Sequence, residues 1–297
     1  MNLLITGAFS CTKEELDCIS QLGFSIVYMQ DEKGGVPCSP ESVCGTICNG
    51  LFLHHPIEQF SNLRFIQLTS AGLDRVPLDY IREHGIRLFN AGGVYSAPIA
   101  EFVLSGILDF YKKKPLFWES QKAKKWNKQR DLLELTGKKV CIVGCGSVGR
   151  ECAKRLKAFD TEIIGVDPLK IENTLFDRVV DIAFLDEVLQ ESNIVVLTLP
   201  LTKETYHLFD KKRFAGMKDQ SLLVNVSRGA VVDQSALAEA LKTKLLGAVI
   251  DVLEEEPLPA DSELWSLENI LITPHNSFVG ENNHKRLLEL ILKNLKK

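Results

Sequence analysis

The sequence predicts an α/β protein of two domains, one of them a doubly wound parallel sheet, and three observations carry that expectation. Short apolar runs alternate with amphipathic helical periods along most of the chain. One run, Val140-Cys141-Ile142-Val143, turns through Gly144-Cys145-Gly146-Ser147-Val148-Gly149 into a helical segment. That turn sits near the middle of 297 residues, so a further α/β unit fits ahead of it.

The elements follow in order. Residues 1–7 read as a short strand and turn, and residues 3–6, 25–28, 65–68 and 86–89 read as strands. Helical periods over 13–22 and 78–84 alternate with them, giving an α/β unit that lacks a glycine loop. An apolar helix is predicted over 97–111, where Ser96-Ala97-Pro98 puts proline in the first turn. A polar stretch with Trp118 and Trp126 comes next. Its Lys112, Lys113, Lys114, Lys122, Lys124, Lys125, Lys128 and Arg130 read as a solvated connecting segment. From Lys139 onward strands are predicted over 140–143, 162–166, 194–197, 222–225, 247–251 and 270–273, with helices over 147–159 and 235–241. The last segment, 281–296, carries leucine or isoleucine at 287, 288, 290, 291 and 295, an amphipathic stripe. Lying beyond the final strand, this helix can return to the first unit. The first domain is then discontinuous, residues 1–95 with 277–297, around a second of residues 96–276.

Composition narrows the function. With 45% apolar and 25% charged residues the chain reads as a soluble globular protein. A net charge of −4 gives no reason to expect nucleic acid as a partner. No stretch approaches the roughly 20 apolar residues of a membrane span, and the N-terminal residues do not resemble a signal peptide, so a cytoplasmic protein is expected. Eight cysteines in a chain this large make no disulfide scaffold, and Cys141 and Cys145 fall inside the strand and loop just described. Cys38, Cys44 and Cys48 lack the paired spacing and nearby histidines of a zinc site, so no metal is expected.

The central loop fits a Rossmann-type dinucleotide site. Gly144 would make the tight turn, Gly146 would let backbone approach a pyrophosphate, and Gly149 would pack helix against strand. Phosphate would lie at the helix N-terminus, near the amides of Ser147 and Val148. The next strand ends at Asp167, about 20 residues beyond the loop, where a ribose-binding acid is expected. That spacing favours NAD over NADP. By itself the loop also fits methyltransferases and flavoproteins, so later residues must decide.

Three strand ends supply them. Asn225-Val226-Ser227-Arg228-Gly229 follows an apolar strand, which sets Arg228 at the carboxyl edge of the sheet, where open α/β folds bind ligands. Its guanidinium fork suits a carboxylate or a carbonyl oxygen; an arginine that merely pairs with an acid at the sheet edge is the plainer alternative. Ala248-Val249-Ile250-Asp251 runs into Val252-Leu253-Glu254-Glu255-Glu256-Pro257, and Ile270-Leu271-Ile272-Thr273 runs into Pro274-His275. An acid and a histidine can therefore meet at the same rim. A carboxylate beside imidazole stabilises its protonated form and makes an acid-base pair that works near neutral pH.

These residues resemble the D-isomer-specific 2-hydroxyacid dehydrogenases over nearly the whole chain. Ser70-Ala71-Gly72-Leu73-Asp74 is similar to that family's substrate-carboxylate loop, and Gly93-Val94-Tyr95-Ser96 with Ile99-Ala100-Glu101 to the approach to its cofactor domain. Leu135-Thr136-Gly137-Lys138 precedes the glycine loop as in the family, and Leu199-Pro200-Leu201-Thr202 with Thr205 is similar to a cofactor-contact segment. Val226-Ser227-Arg228-Gly229, Asp251 through Pro257 and Thr273-Pro274-His275 are similar to its three catalytic blocks.

The resemblance implies a flavodoxin-like substrate-binding domain and an NAD-binding Rossmann domain. It implies hydride transfer between NAD(H) and a small D-2-hydroxy acid or its 2-oxo acid. Arg228 would bind substrate carboxylate and carbonyl, His275 would act as acid-base, and Glu256, immediately before the proline, would orient and charge it. Ser70, Ala71, Gly72 and Leu73 would hold the carboxylate. Asp251, helped by Val226 and Ser227, would hold the nicotinamide carboxamide, and Asp167 the ribose. The helix from Ala97 and the arm after it would mediate a homodimer. Asn276-Ser277-Phe278-Val279 after the histidine and the Gly92-Gly93 pair depart from familiar members on the substrate side. Glyoxylate, hydroxypyruvate, phosphoglycerate and bulkier oxo acids all fit the pattern. No regulatory extension is expected after the terminal helix. The alternatives are an NAD-responsive regulatory or binding protein of the same fold with little catalysis, and a methyltransferase using the same loop.

Overall fold

Alternation within each buried run determines how the strands are covered. In the computed structural model Cys141 and Val143 join one apolar cluster while Val140 and Ile142 join another, and Val195 and Leu197 divide from Ile194 and Val196 in the same way. Successive side chains of a strand point to opposite faces, so the sheet carries a core on each side. The structure describes residues 2–169 and 174–296. Met1, Lys170, Ile171, Glu172, Asn173 and Lys297, all inside the predicted spans, lie outside the described residues.

The chain divides into two compact units, Met1–Tyr95 with Gly280–Lys297, and Ser96–Val279. The later chain crossing falls three residues beyond the predicted one, because the amides of Asn276 and Ser277 are tied to Asp251 of the second unit.

In the first unit the elements run β1 (Asn2–Thr6), α1 (Lys13–Ser20), β2 (Ser25–Met29), β3 (Val43–Cys48), β4 (Phe65–Leu68), α2 (Leu78–Glu83) and β5 (Arg87–Phe89). The strands form a parallel sheet in the order β2-β1-β3-β4-β5. Strand β3, at the centre, is not among the strands expected from the sequence. All six of its residues are buried, so Val43-Cys44-Gly45-Thr46-Ile47-Cys48 shows no alternation, and its cysteines, glycine and threonine dilute the apolar signal. Helix α1 starts with a capping box in which Thr12 and Glu15 satisfy each other's backbone amides.

In the second unit come α3 (Ser96–Tyr111), α4 (Lys114–Lys122), β6 (Lys139–Val143), α5 (Ser147–Lys157), β7 (Glu162–Val166), β8 (Arg178–Val180), α6 (Leu185–Glu191), β9 (Ile194–Leu197), α7 (Lys211–Gly216), β10 (Leu222–Asn225), α8 (Gln234–Thr243), β11 (Gly247–Ile250) and β12 (Ile270–Ile272). The sheet order is β12-β11-β10-β9-β6-β7-β8, parallel throughout. Strand order reverses between β6 and β9, the switch point at which doubly wound sheets bind ligands. The short pieces β8, α6 and α7 are not expected from the sequence, nor is α4, which forms within the stretch expected to be a connecting segment.

The last helix, α9 (Asn283–Leu295), belongs to the first unit. Leu287 and Ile291 join Leu3, Ile5 and Phe9 in one cluster. Burial of such a side chain contributes about 1.5–3 kcal/mol. Polar contacts fix the direction: Asn294 Nδ2 donates to Gln67 Oε1 at 2.9 Å, and Arg286 Nε to the Val94 carbonyl at 2.7 Å.

Candidate active site

The glycine loop leaves β6 at the switch point. Gly144 has φ +97°, and a Cβ there would lie 2.9 Å from the backbone of Leu199. Gly149 packs as closely, since its Cβ would lie 2.1 Å from the Gly144 carbonyl oxygen, whereas a Cβ on Gly146 would meet nothing within 4 Å. The first and third glycines therefore serve the fold, and the second leaves an open face at the start of α5. No side chain caps that helix at Gly146, so its first amides, those of Ser147 and Val148 among them, are oriented for an anion.

The neighbouring strand ends hold this loop. Thr198 Oγ1 donates to the Gly144 carbonyl at 2.6 Å. Asp167 accepts from the amides of Cys145 and Leu169, both at 2.9 Å, which fixes its carboxylate beside the loop. Burial, reinforced by Asp167, pushes the Cys145 thiol up to about 12, so the loop carries a neutral sulfhydryl. Beyond β9, Leu199 is buried. Thr205 Oγ1 donates to the Pro200 carbonyl and accepts from the Thr202 amide, each at 2.7 Å, closing the turn.

Arg228 lies three residues past β10. Asn225, 1% exposed, accepts from the Ser227 amide at 3.0 Å and its hydroxyl at 2.7 Å, and donates to the Arg228 carbonyl at 3.2 Å. Val226 and Ser227 are buried, and Arg228 Nη1 donates to the Ser227 carbonyl at 2.8 Å. At Gly229 a Cβ would lie 1.9 Å from the Leu253 carbonyl. Only glycine lets the arginine loop close onto the loop that carries the three glutamates.

Two of those glutamates have separate partners. Glu254 bonds His207 Nε2 at 2.8 Å and accepts from the Gln234 amide at 2.9 Å. Glu256 accepts from the Leu253 amide at 3.0 Å through Oε1, and its Oε2 meets His275 Nδ1 at 2.8 Å. Both side chains of this pair are about two-fifths exposed. A cavity of about 540 Å³ adjoins them, lined in part by Asp251, Trp265, Thr273 and Pro274. Asp251, 1% exposed, accepts from Thr273 Oγ1, the Asn276 amide and the Ser277 amide.

In the first unit, Ser70 to Leu73 follow β4. The Ser70 carbonyl accepts from the Ala91 amide at 2.9 Å, and Asn90 Nδ2 donates to the Ala71 carbonyl at 2.7 Å. Ser70 Oγ donates to the Gly72 carbonyl at 3.2 Å. Ala71 and Leu73 are exposed.

Sequence reasoning missed Asn225, Thr198 and Thr273 as supports of the site. Each stands at a strand end, and that position was the available signal.

A parallel sheet with such a glycine turn at its switch point fits a dinucleotide-binding protein. Residues 104–277, more than half of the chain, match the family model described as D-isomer specific 2-hydroxyacid dehydrogenase, NAD binding domain. The chain belongs to that family, and NAD is its cofactor. It is similar to a glyoxylate reductase of Thermofilum pendens, 35% identical over 243 residues that cover 79% of this chain and 71% of the relative. It is also similar to a D-3-phosphoglycerate dehydrogenase of Methanocaldococcus jannaschii, 32% identical over 246 residues. That alignment covers 81% of this chain and 46% of the relative, so the chain spans about half of that protein's length. A D-isomer specific 2-hydroxyacid dehydrogenase family protein from Aeromonas salmonicida has the same fold, with TM-score 0.80, 28% identity and coverage of 99% of this chain and 94% of that one. No described helix is long and apolar enough to cross a membrane.

Proposed function

We propose that this chain interconverts a small D-2-hydroxy acid and its 2-oxo acid with NAD(H), using His275 as the acid-base. The observation that carries this reading is the 2.8 Å contact between Glu256 Oε2 and His275 Nδ1, beside the loop of Arg228. NADH bound at the glycine loop supplies the hydride that reaches the carbonyl carbon. The fit rests on the open face at Gly146, the uncapped start of α5 and the fixed carboxylate of Asp167.

With Nδ1 engaged by Glu256, Nε2 of His275 is the nitrogen that gives its proton to the substrate oxygen during reduction and takes it back during oxidation. Glu256 holds the ring in that tautomer and orientation. Arg228 binds the substrate carboxylate and polarises the carbonyl with its planar fork. Asp167 takes the ribose hydroxyls, which favours NADH over NADPH. Leu199, Pro200, Thr205, Val226 and Ser227 would line the cofactor, and Asp251 would hold the nicotinamide carboxamide.

The protein acts as a homodimer through α3 and the arm that follows it, whose Leu116, Phe117, Trp118 and Trp126 are exposed on the single chain. Mass measurement in solution checks this. A cytoplasmic setting agrees with eight cysteines present as free thiols.

The test is NADH oxidation across glyoxylate, hydroxypyruvate and a bulkier 2-oxo acid. Turnover of at least one is expected. NADH binding without turnover of any would favour an NAD-responsive binding protein instead.

A further inference from the structure

We propose that Thr273 and the buried Asp251 form a clamp that fixes His275 for proton transfer, which makes Thr273 a positioning residue and gives Asp251 a second duty. The inference rests on His275 being the acid-base group.

His275 does not sit on a regular element. Its φ is +50°, a left-handed conformation that is uncommon for a residue with a Cβ and that its surroundings stabilise. Those surroundings converge on one residue. The Asp251 carbonyl accepts from the His275 amide at 2.8 Å. Asp251 Oδ1 accepts from Thr273 Oγ1 at 2.7 Å and from the Asn276 amide at 2.8 Å, and Oδ2 accepts from the Ser277 amide at 3.0 Å. The chain is therefore gripped two residues before the histidine and one and two residues after it. Thr273 is anchored in turn, because its amide donates to the Ile250 carbonyl at 3.0 Å.

A carboxylate offers about four acceptor positions, and three are used inside the protein. The remaining one suffices for a carboxamide N–H, so the clamp and the cofactor contact are compatible. They are also separable. Thr273 acts on the histidine loop through its hydroxyl, while the other donors to the carboxylate are backbone amides.

The experiment compares the wild type with Thr273→Val, which keeps the branched shape and removes the hydroxyl, and Thr273→Ser, which restores it. With the clamp loosened, kcat falls about tenfold, while NADH affinity and KM stay within about twofold, and serine returns kcat to within about twofold of wild type. Amide hydrogen exchange at Asn276 and Ser277 becomes about tenfold faster in the valine variant and not in the serine variant. Wild-type kcat in Thr273→Val overturns the proposal, as does failure of serine to restore it. A parallel loss of NADH affinity also overturns it, because the hydroxyl then serves the cofactor contact. If the wild type reduces no 2-oxo acid, the acid-base reading fails by itself. Hydrogen exchange then decides the clamp: faster exchange in Thr273→Val supports it, and unchanged exchange overturns it.

Discussion

Glu256 and His275 meet at 2.8 Å, Oε2 to Nδ1, although 19 positions separate them in the chain. Two strand ends bring them together, and the neighbouring acid is committed elsewhere. Glu254 joins His207 to the start of α8.

The two glutamates should therefore behave differently on substitution. Glu256→Gln keeps a hydrogen-bond acceptor but replaces the carboxylate that holds the His275 ring, so kcat is expected to fall by about tenfold or more. Glu254→Gln should retain activity and lower Tm by about 2–4 °C, from the loss of roughly 1 kcal/mol. Steady-state kinetics and thermal melts of both variants make the comparison.

The glycine loop predicts a second contrast. An alanine at Gly146 meets open space, so Gly146→Ala should melt like the wild type. Its methyl would stand where pyrophosphate approaches, and the NADH Kd should rise by about tenfold or more. At Gly149 the methyl would press on the Gly144 carbonyl, and Gly149→Ala should lose roughly 1–3 kcal/mol of stability. NADH fluorescence titration beside denaturant unfolding separates the two.

Asp167 should govern the choice of cofactor. Asp167→Ala removes the carboxylate that the Cys145 and Leu169 amides hold in place. The KM for NADH should rise about tenfold, and NADPH should lose its disadvantage because a 2′-phosphate no longer faces a carboxylate. The ratio of kcat/KM for the two cofactors reads this directly.

A pH effect is expected in the first unit, where Glu15 meets His284 at 2.8 Å. Burial opposes the charge on Glu15, but the Thr12 amide and the His284 side chain hold its carboxyl below the usual carboxylate range. A depressed carboxyl stabilises the fold above its unfolded pKa and loses that contribution as pH falls through the folded value. Glu15→Gln should therefore melt lower than the wild type near neutral pH, with the gap closing under acid conditions. Paired melts from neutral to acid pH test the sign.

Much of the second unit was legible because its strands are apolar runs that stop at a polar residue. Asn225, Asp251 and Thr273 mark such ends, and the residues just past them carry the proposed chemistry. What the sequence did not reveal are relations across long separations. Nothing near Asp251 indicates that its carboxylate is held by Thr273, Asn276 and Ser277, more than 20 positions away. The choice of Glu256 among three consecutive glutamates came from the family resemblance; Glu254's attachment to His207 supplies a physical reason. In the first unit β3 was hidden because a strand buried on both faces has no period to detect.

The most direct test of the account measures NADH-dependent reduction of the best 2-oxo acid by the wild type and by His275→Ala, with NADH affinity determined on the same samples. The account predicts a loss of kcat of about 10²- to 10⁴-fold in the variant with NADH binding retained. Near-normal turnover in His275→Ala would contradict it.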